Sequence, residues 1–255
     1  MQEVRNTRQG EQNAHNKRMP GRLIPPMDEA LNHTMNEQLV ELYNSVYGDL
    51  MSSLAPFQGV SQPLLCRVPD GYTKTAIRLM VVGQQTYGWG VPPGSDGVAA
   101  QIGLYQDFDL ARTYAHRGKP FWRAMHEVFN GLNPDGPERS FIWSNLVKVD
   151  QHGDRPDPQI EEIVSVLRLV PKEIAITRPD AVVFFTGPNF DTRLKATFPN
   201  CQFEQVTPII ARVLHPELPH STFRTYHPGY LHRSDQWQAI TDLITHIRND
   251  KSRNA

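Results

Sequence analysis

Cysteine is scarce in this 255-residue chain, which contains only Cys66 and Cys201. The two lie far apart and form no Cys-x-x-Cys pair, so the sequence predicts neither a zinc ribbon nor an iron–sulfur cluster. A disulfide between them is possible, but two buried free thiols are the simpler expectation for an intracellular protein. The histidines show no spacing typical of metal ligands, and we therefore expect no metal and no other cofactor.

Long apolar runs are also missing, and none approaches the roughly 20 residues that a membrane-spanning helix needs. The N-terminal residues are polar and lack the apolar stretch of a secretory signal, which predicts a cytoplasmic protein with no membrane partner. The formal net charge is −1, so no excess of positive charge indicates nucleic-acid binding. Any contact with DNA must come from a local basic surface.

The composition divides the chain into one large segment and two tails. Residues 1–27 contain few large apolar side chains, and we expect a disordered polar tail there. Its mild positive charge could contact DNA phosphates, although a solvated tail is the simpler explanation. The chain is 39% hydrophobic, which is enough for residues 28–250 to form a single domain. Residues 251–255 are expected to form a short tail, and the protein is expected to be a monomer.

Apolar runs typical of buried strands alternate with the three- and four-residue periodicity of amphipathic helices. Strands are predicted at residues 77–82, 141–147, 181–186 and 221–226. Residues 206–214 could add an edge strand at most, because they contain Pro208. Helices are predicted at residues 28–54, 120–131, 159–177 and 235–250. This alternation predicts an α/β fold with a mostly parallel sheet.

Sheets of this kind bind ligands beyond the carboxyl ends of their strands, so the segments after the predicted strands are the candidate site. The first strand is followed by GQQTYG, in which glycine lets the backbone approach a ligand. The second is followed by Asn145, whose amide offers a donor and an acceptor to a base edge. The last is followed by HPGYLHR, where His227 precedes a rigid turn. No Gly-x-Gly-x-x-Gly or Gly-x-x-x-x-Gly-Lys run follows any predicted strand, which argues against an ordinary nucleotide-binding domain.

Four segments, taken in order across residues 77–248, resemble the uracil-DNA glycosylase superfamily. GQQTYG is similar to the family's GQDPYH motif, and HPGYL is similar to its HPSPL motif. SNLVKVDQHGDRP resembles the Asn-Val-Val-Lys-Cys-Arg-Pro segment of the iron–sulfur branch, whose cluster cysteines this chain lacks. VVFFTGPNF resembles the strand and turn before the last motif. The resemblance implies a three-layer αβα sandwich around a central, mostly parallel four-stranded sheet.

The same resemblance implies a monofunctional DNA glycosylase, which flips a deaminated or modified base out of DNA and hydrolyses its N-glycosidic bond. It assigns to His227 the stabilisation of negative charge on the leaving base. Gln85 stands where the best-known branch has a water-activating Asp. Because glutamine can orient water but cannot act as a base, this difference argues against efficient uracil excision.

The resemblance also implies residues that hold the flipped base. Asn145 would hydrogen-bond the base edge, and Gln84 with its neighbouring backbone amides would hold a base carbonyl. Tyr87 matches the tyrosine that crowds the 5-position of a pyrimidine in that family. An aromatic ring should stack on the base, and Tyr105 and Phe108 are both candidates for that ring.

Residues that would contact the DNA itself follow from the same resemblance. Leu231 matches the wedge that fills the space left in the duplex, and Tyr230 next to it would assist. His232 and Arg233 follow directly, and Lys148 comes shortly after the second strand. These five side chains are the predicted DNA contacts.

Three functions are compatible with these residues. The first is repair of uracil or another damaged base. The second is defence against phage, in which Gly88 and Gly90 leave room for a bulky modified pyrimidine such as a hydroxymethylcytosine derivative. The third is a DNA-binding module without turnover, which Gln85 favours but which the presence of Asn145, His227 and Leu231 together argues against.

Overall fold

Six strands form one sheet at the centre of the molecule. They are β1 (Leu79–Gly83), β2 (Ile142–Asn145), β3 (Ala181–Phe184), β4 (Gln202–Thr207), β5 (Ile210–Leu214) and β6 (Ser221–Thr225). Their order across the sheet is β2-β1-β3-β6-β5-β4. The computed structural model describes residues 27–90, 96–112 and 119–253, so the predicted N-terminal tail lies outside the described residues except for its last position.

Helices cover both sides of this sheet. In the described part of the chain they are α1 (Met27–Asn44), α2 (Tyr47–Leu54), α3 (Val98–Phe108), α4 (Pro120–Leu132), α5 (Pro158–Ser165), α6 (Leu169–Thr177), α7 (Asp191–Thr197), α8 (Pro228–Arg233) and α9 (Gln238–Arg253). The last helix continues through Arg253, past the predicted end of the domain at residue 250. Among the described residues, no helix combines the length and the apolar character needed to cross a membrane.

The four strands that the sequence predicts form the parallel part of the sheet. β1 pairs in parallel with β2 on one side and with β3 on the other, and β3 pairs in parallel with β6. Every residue of these four strands is buried, as expected for parallel strands that helices cover on both faces. The predicted α/β class with a mostly parallel sheet is therefore confirmed.

The predicted number of four strands is wrong, because the segment around Pro208 forms a hairpin and not a single edge strand. β4 and β5 pair antiparallel, and β5 then pairs antiparallel with β6. Pro208 lies in the turn between Thr207 and Ile210, where its missing N–H interrupts no hydrogen bond of the ladder. The sheet is thus mixed and has six strands.

Two of the predicted helices are each divided into two. The helix predicted at residues 159–177 breaks at Arg168, which adopts a left-handed conformation with φ +48°. Pro171 explains the break, because a proline inside a continuous helix would clash with the carbonyl of Leu167.

The helix predicted at residues 28–54 ends at Asn44 and restarts at Tyr47. The Ser45 hydroxyl donates a 2.6 Å hydrogen bond to the carbonyl of Leu42 at this break. Such local side-chain bonds compete with the helical backbone pattern.

Both cysteines are buried free thiols, as the sequence predicts. Burial raises the pKa of the Cys66 thiol and that of the Cys201 thiol. Neither thiol is therefore a reactive nucleophile.

Candidate functional site

The carboxyl ends of the parallel strands meet at one edge of the sheet, where a cleft of about 630 Å³ opens. The loop after β1, residues 84–90, forms one side of it, and α3, α4 and the ends of β2 and β6 supply the rest. The cleft is lined by Gln84, Gln85, Thr86, Tyr87, Gly88, Trp89, Gly90, Leu104, Phe108, Lys119, Phe121, Trp122, Trp143, Asn145 and His227. Six of the predicted site residues therefore share one cleft.

A larger cavity of about 1060 Å³ lies between α1 and residues 66–71. It is lined mainly by Asn, Glu and other polar side chains of α1, and none of the predicted site residues borders it. Volume alone would select this cavity, but convergent chemical groups are found in the smaller cleft. We therefore place the candidate site in the cleft at the carboxyl ends of the strands.

Asn145 ends β2 with its side chain 2% exposed and facing the cleft. The indole Nε1 of Trp143 donates a 3.2 Å hydrogen bond to Asn145 Oδ1. Because an indole N–H can only donate, the amide atom that faces it must be the oxygen, and Nδ2 remains available to the cleft. Gly83 on the neighbouring strand leaves the space for this amide, since a Cβ there would lie 2.3 Å from Asn145 Oδ1.

Two glutamines follow β1 and present acceptors in the cleft. One N–H of Gln84 Nε2 donates a 2.8 Å hydrogen bond to the carbonyl of Thr186, which leaves Oε1 as an acceptor and the second N–H as the donor that the predicted bond to a base carbonyl requires. Gln85 Oε1 is buried and has no hydrogen-bond partner among the described residues. Buried polar atoms in native structures usually have a partner, so a water or a ligand group would satisfy Gln85 here.

His227 precedes α8 and is held in one tautomer. Its Nδ1 accepts a 3.1 Å hydrogen bond from the backbone N–H of Gly229, and its ring stacks on Phe121 with centroids 5.3 Å apart. Burial, followed by the charge of Arg233, lowers the pKa of His227 from its ordinary value of 6.5 to about 4. The imidazole is therefore neutral at physiological pH, and its proton resides on Nε2.

Aromatic rings form much of the cleft wall. Trp122 contacts Trp143 edge to face at 4.8 Å, and Phe108 packs on Trp122 at 5.0 Å. Trp89 closes the group, with its ring 5.4 Å from Trp143. Three of the four tryptophans of the chain thus line one cleft. Flat, rigid ring faces of this kind suit a planar ligand.

Only one of the two predicted stacking residues reaches the cleft. Phe108 lines it, whereas the Tyr105 hydroxyl donates to the carbonyl of Trp143 at 3.0 Å and accepts from its N–H at 2.9 Å. Burial raises the pKa of Tyr105 well above its ordinary value. Because β2 is an edge strand, Tyr105 satisfies the free backbone groups of Trp143 and does not face a ligand.

The prediction that Lys148 contacts DNA is wrong in this structure. Its side chain is 1% exposed, and its ammonium lies 2.6 and 2.7 Å from the two carboxylate oxygens of Glu173. Tyr43 and Ser144 donate further hydrogen bonds to the same carboxylate at 2.8 and 2.9 Å. These four side chains, Tyr43, Ser144, Lys148 and Glu173, are called the buried network below.

Leu231 is fully buried, at 0% exposed, so its predicted role as a wedge in DNA is also contradicted. Pro228 begins α8, and the turn of that helix directs Leu231 into the core. Its neighbours Tyr230, His232 and Arg233 are exposed, and the Tyr230 ring stacks on Tyr226 at 4.6 Å. The DNA contacts predicted for these three neighbours stay predictions.

Tyr87 borders the cleft, but its side chain is 87% exposed. A residue that crowds a bound base would have to form part of the wall. The structure therefore places Tyr87 at the mouth of the cleft and contradicts its predicted position inside.

Asp150 organises the loop after β1, a role that no sequence pattern predicted. It is 1% exposed, and its Oδ2 accepts from the backbone N–H groups of Gly88 and Trp89 at 2.8 and 3.3 Å. Its Oδ1 accepts from the N–H of Gly153 at 2.9 Å. Asp150 therefore fixes the backbone on one side of the cleft.

Among the described residues, no three His, Cys, Asp or Glu side chains are placed together to hold a metal ion. No protein-family model matches the chain, and no curated protein sequence matches it. The functional interpretation therefore depends on the cleft and on the motifs that border it.

Proposed function

We propose that this protein is a monofunctional DNA glycosylase, which flips a modified base out of DNA and hydrolyses its N-glycosidic bond. One observation carries the proposal: Gln85, Asn145 and a neutral His227 follow or end three different strands and meet in one aromatic cleft. The resemblance to the uracil-DNA glycosylase superfamily assigns these three residues, among others, to catalysis and base recognition.

The cleft walls support recognition of a nucleobase. A flipped base can stack between aromatic faces, an interaction worth on the order of 1–3 kcal/mol per base. Asn145 Nδ2 would donate to an acceptor on the base edge, and Gln84 Oε1 would accept from a donor. Together these groups would fix the plane and the orientation of the base.

Cleavage breaks the bond between the base nitrogen and C1′ of the deoxyribose, and the electron pair leaves with the base. A neutral His227 would donate from Nε2 to the base oxygen on which negative charge develops. Water then adds to C1′, and Gln85 would orient it through Oε1, which has no hydrogen-bond partner in the part of the chain that the structure describes. Because glutamine cannot take up the proton of the water, that proton passes to the departing base or to solvent.

A bulky modified pyrimidine is favoured over uracil as the substrate. A Cβ on Gly88 would meet no atom of the described residues within 4 Å, and Tyr87 is turned out of the cleft, so these residues restrict a substituent little at this side of a base. Gly90 leaves less space, since a Cβ there would lie 3.3 Å from Gln62. The volume of about 630 Å³ lies within the range of about 300–1,000 Å³ found for sites that bind drug-sized ligands. Excision of such bases from phage DNA would make this protein a defence enzyme that acts in the cytoplasm.

The test is incubation of the purified protein, without added metal, with DNAs that contain uracil, hypoxanthine, hydroxymethylcytosine or glucosylated hydroxymethylcytosine. Alkali-labile abasic sites are measured for the wild type and for His227→Ala and Asn145→Ala. Each substitution should lower the rate by about 10²–10³-fold, the usual loss for one donor to a developing anion. His33→Ala, in an exposed position on α1, is the matched control and should keep full activity.

The identity of the cleaved base separates the candidate functions. Cleavage of a bulky cytosine alone supports defence, and efficient cleavage of uracil supports repair. Binding of these DNAs without any abasic site would overturn the enzymatic proposal and would leave a DNA-binding module.

A further inference from the structure

The loop at residues 84–90 directs one aromatic ring outward. Thr86 is buried and Trp89 packs inward against Phe108 and Trp143, whereas Tyr87 between them is 87% exposed. Tyr230, in the helix that follows His227, is 41% exposed, and its ring is already stacked on Tyr226. Tyr87 is thus the more exposed of these two tyrosines, and no aromatic partner for it is found among the described residues.

The exposure of Tyr87 is fixed by contacts on both sides of it. The Thr86 hydroxyl lies 3.2 Å from the Ser61 hydroxyl, and the N–H of Gly88 donates to Asp150 at 2.8 Å. Because the neighbours on both sides are anchored, the backbone cannot easily turn Tyr87 into the cleft. An aromatic ring that is held in solvent by a fixed loop loses little conformational entropy when it binds a partner.

Gly153 lies beside one edge of the Tyr87 ring. A Cβ on Gly153 would lie 3.9 Å from Tyr87 Cε2, and Gly153 itself adopts φ +75°. Gly153 therefore presents no side chain to this edge, and Tyr87 remains 87% exposed.

We propose that Tyr87 is a DNA-stacking residue on the rim of the cleft, and that its ring stacks on the base next to the flipped nucleotide. This inference rests on the proposed glycosylase function. Flipping leaves a neighbouring base without a stacking partner, and aromatic side chains stack on every base type. Leu231, which the resemblance assigns to the space left in the duplex, is buried and does not fill it.

The experiment uses a duplex with a tetrahydrofuran abasic analogue and 2-aminopurine as the adjacent base. The dissociation constant and the 2-aminopurine fluorescence are measured for the wild type, Tyr87→Ala, Tyr87→Phe and the control His33→Ala, which lies in an exposed position on α1. Tyr87→Ala should weaken binding by about tenfold or more and abolish the fluorescence change, because one stacking contact is lost. Tyr87→Phe keeps the ring and should behave as the wild type, and His33→Ala should retain both the affinity and the fluorescence change.

Three outcomes would overturn the inference, and they differ in whether the proposed glycosylase function is retained. If Tyr87→Ala binds and alters fluorescence like the wild type while abasic sites still form, the stacking role fails and the enzyme remains. If Tyr87→Ala changes only the choice of excised base, Tyr87 acts on the flipped base itself. If the wild type neither binds the duplex nor forms abasic sites on any DNA, the proposed function fails together with the inference. The exposure of Tyr87 makes misfolding of its variants improbable, and an unchanged melting temperature verifies this.

Discussion

Strand β2 separates two polar environments that are opposite in character. Successive side chains of a strand point to opposite faces, so Trp143 and Asn145 face the cleft while Ser144 faces the buried network. In the network the Glu173 carboxylate accepts hydrogen bonds from Tyr43, Ser144 and Lys148. In the cleft, Gln85 Oε1 and Trp89 Nε1 are buried without partners among the described residues.

The difference teaches how burial of polar groups can be interpreted. A network whose donors and acceptors are satisfied among themselves has no remaining capacity for a ligand and contributes to the fold. Unpaired groups that border a cleft carry a desolvation cost of about 1–3 kcal/mol each, which a bound ligand would remove. Burial alone does not distinguish the two environments, because Asn145 and Lys148 are almost equally buried.

The largest effect is expected from breaking the network. Lys148→Met leaves the Glu173 carboxylate buried without its cation, which should lower the free energy of unfolding by about 3–5 kcal/mol. The double variant Lys148→Met/Glu173→Leu removes both charges and should recover much of that loss. Urea denaturation of the wild type and the two variants provides the measurement. A single variant as stable as the wild type would show that this pair contributes nothing to the fold.

The second prediction concerns the pH dependence of His227 in the cleft, which is neutral, in contrast to the Lys148–Glu173 salt bridge of the buried network. The pKa of His227 is lowered to about 4, so the ring should stay neutral and fixed in position, and kcat should stay level from about pH 8 to pH 5. Activity should then fall as the pH decreases through about 4, because protonation of Nδ1 breaks its hydrogen bond with the Gly229 N–H and releases the ring from that position. The stability contributed by the neutral imidazole is complete above its unfolded pKa of about 6.5 and is lost as the pH falls from there towards 4, because the unfolded chain binds the proton first.

Rates and urea denaturation measured across this range would check both parts of the second prediction. His227→Gln keeps an amide donor without a titrating group, and it should remove the decline of stability between pH 6.5 and 4. A loss of activity centred near pH 6.5 in the wild type would contradict the neutral-donor role, because it would indicate an ordinary histidine.

Local sequence signals were sufficient to predict that Asn145 and His227 lie at the carboxyl ends of the parallel strands. Each stands at or directly after the end of a buried apolar run, and parallel strands end at the same edge of a sheet. The same reasoning failed for Lys148 and Leu231, because it places a residue at a strand end without showing which way its side chain turns. Residue spacing does not show that Lys148 meets Glu173, which is 25 positions away, or that the turn of α8 directs Leu231 inward.

Other parts of the site depend on contacts that only the fold creates. Asp150 binds the amide of Gly88 across 62 positions of sequence, and no local pattern marks such a pair. The aromatic wall likewise comes from separate segments: Trp89 from a loop, Trp122 from α4 and Trp143 from β2. Their apolar character predicted burial in general, and it did not predict that they share a cleft.

The smallest predicted effect concerns how Trp143 orients Asn145. Trp143→Phe removes the indole N–H that holds Asn145 Oδ1 and allows the amide to rotate. One hydrogen bond contributes about 0.5–1.5 kcal/mol, so kcat/KM on the preferred base should fall by about 2- to 10-fold, with weaker discrimination between bases. Trp122→Phe is the matched control, because it removes the same indole group from the same wall and leaves the bond to Asn145 intact. If the two variants lose equal activity and equal discrimination, the loss of an aromatic wall residue explains the effect. The hydrogen bond from Trp143 to Asn145 Oδ1 would then contribute nothing to the orientation of Asn145 beyond packing.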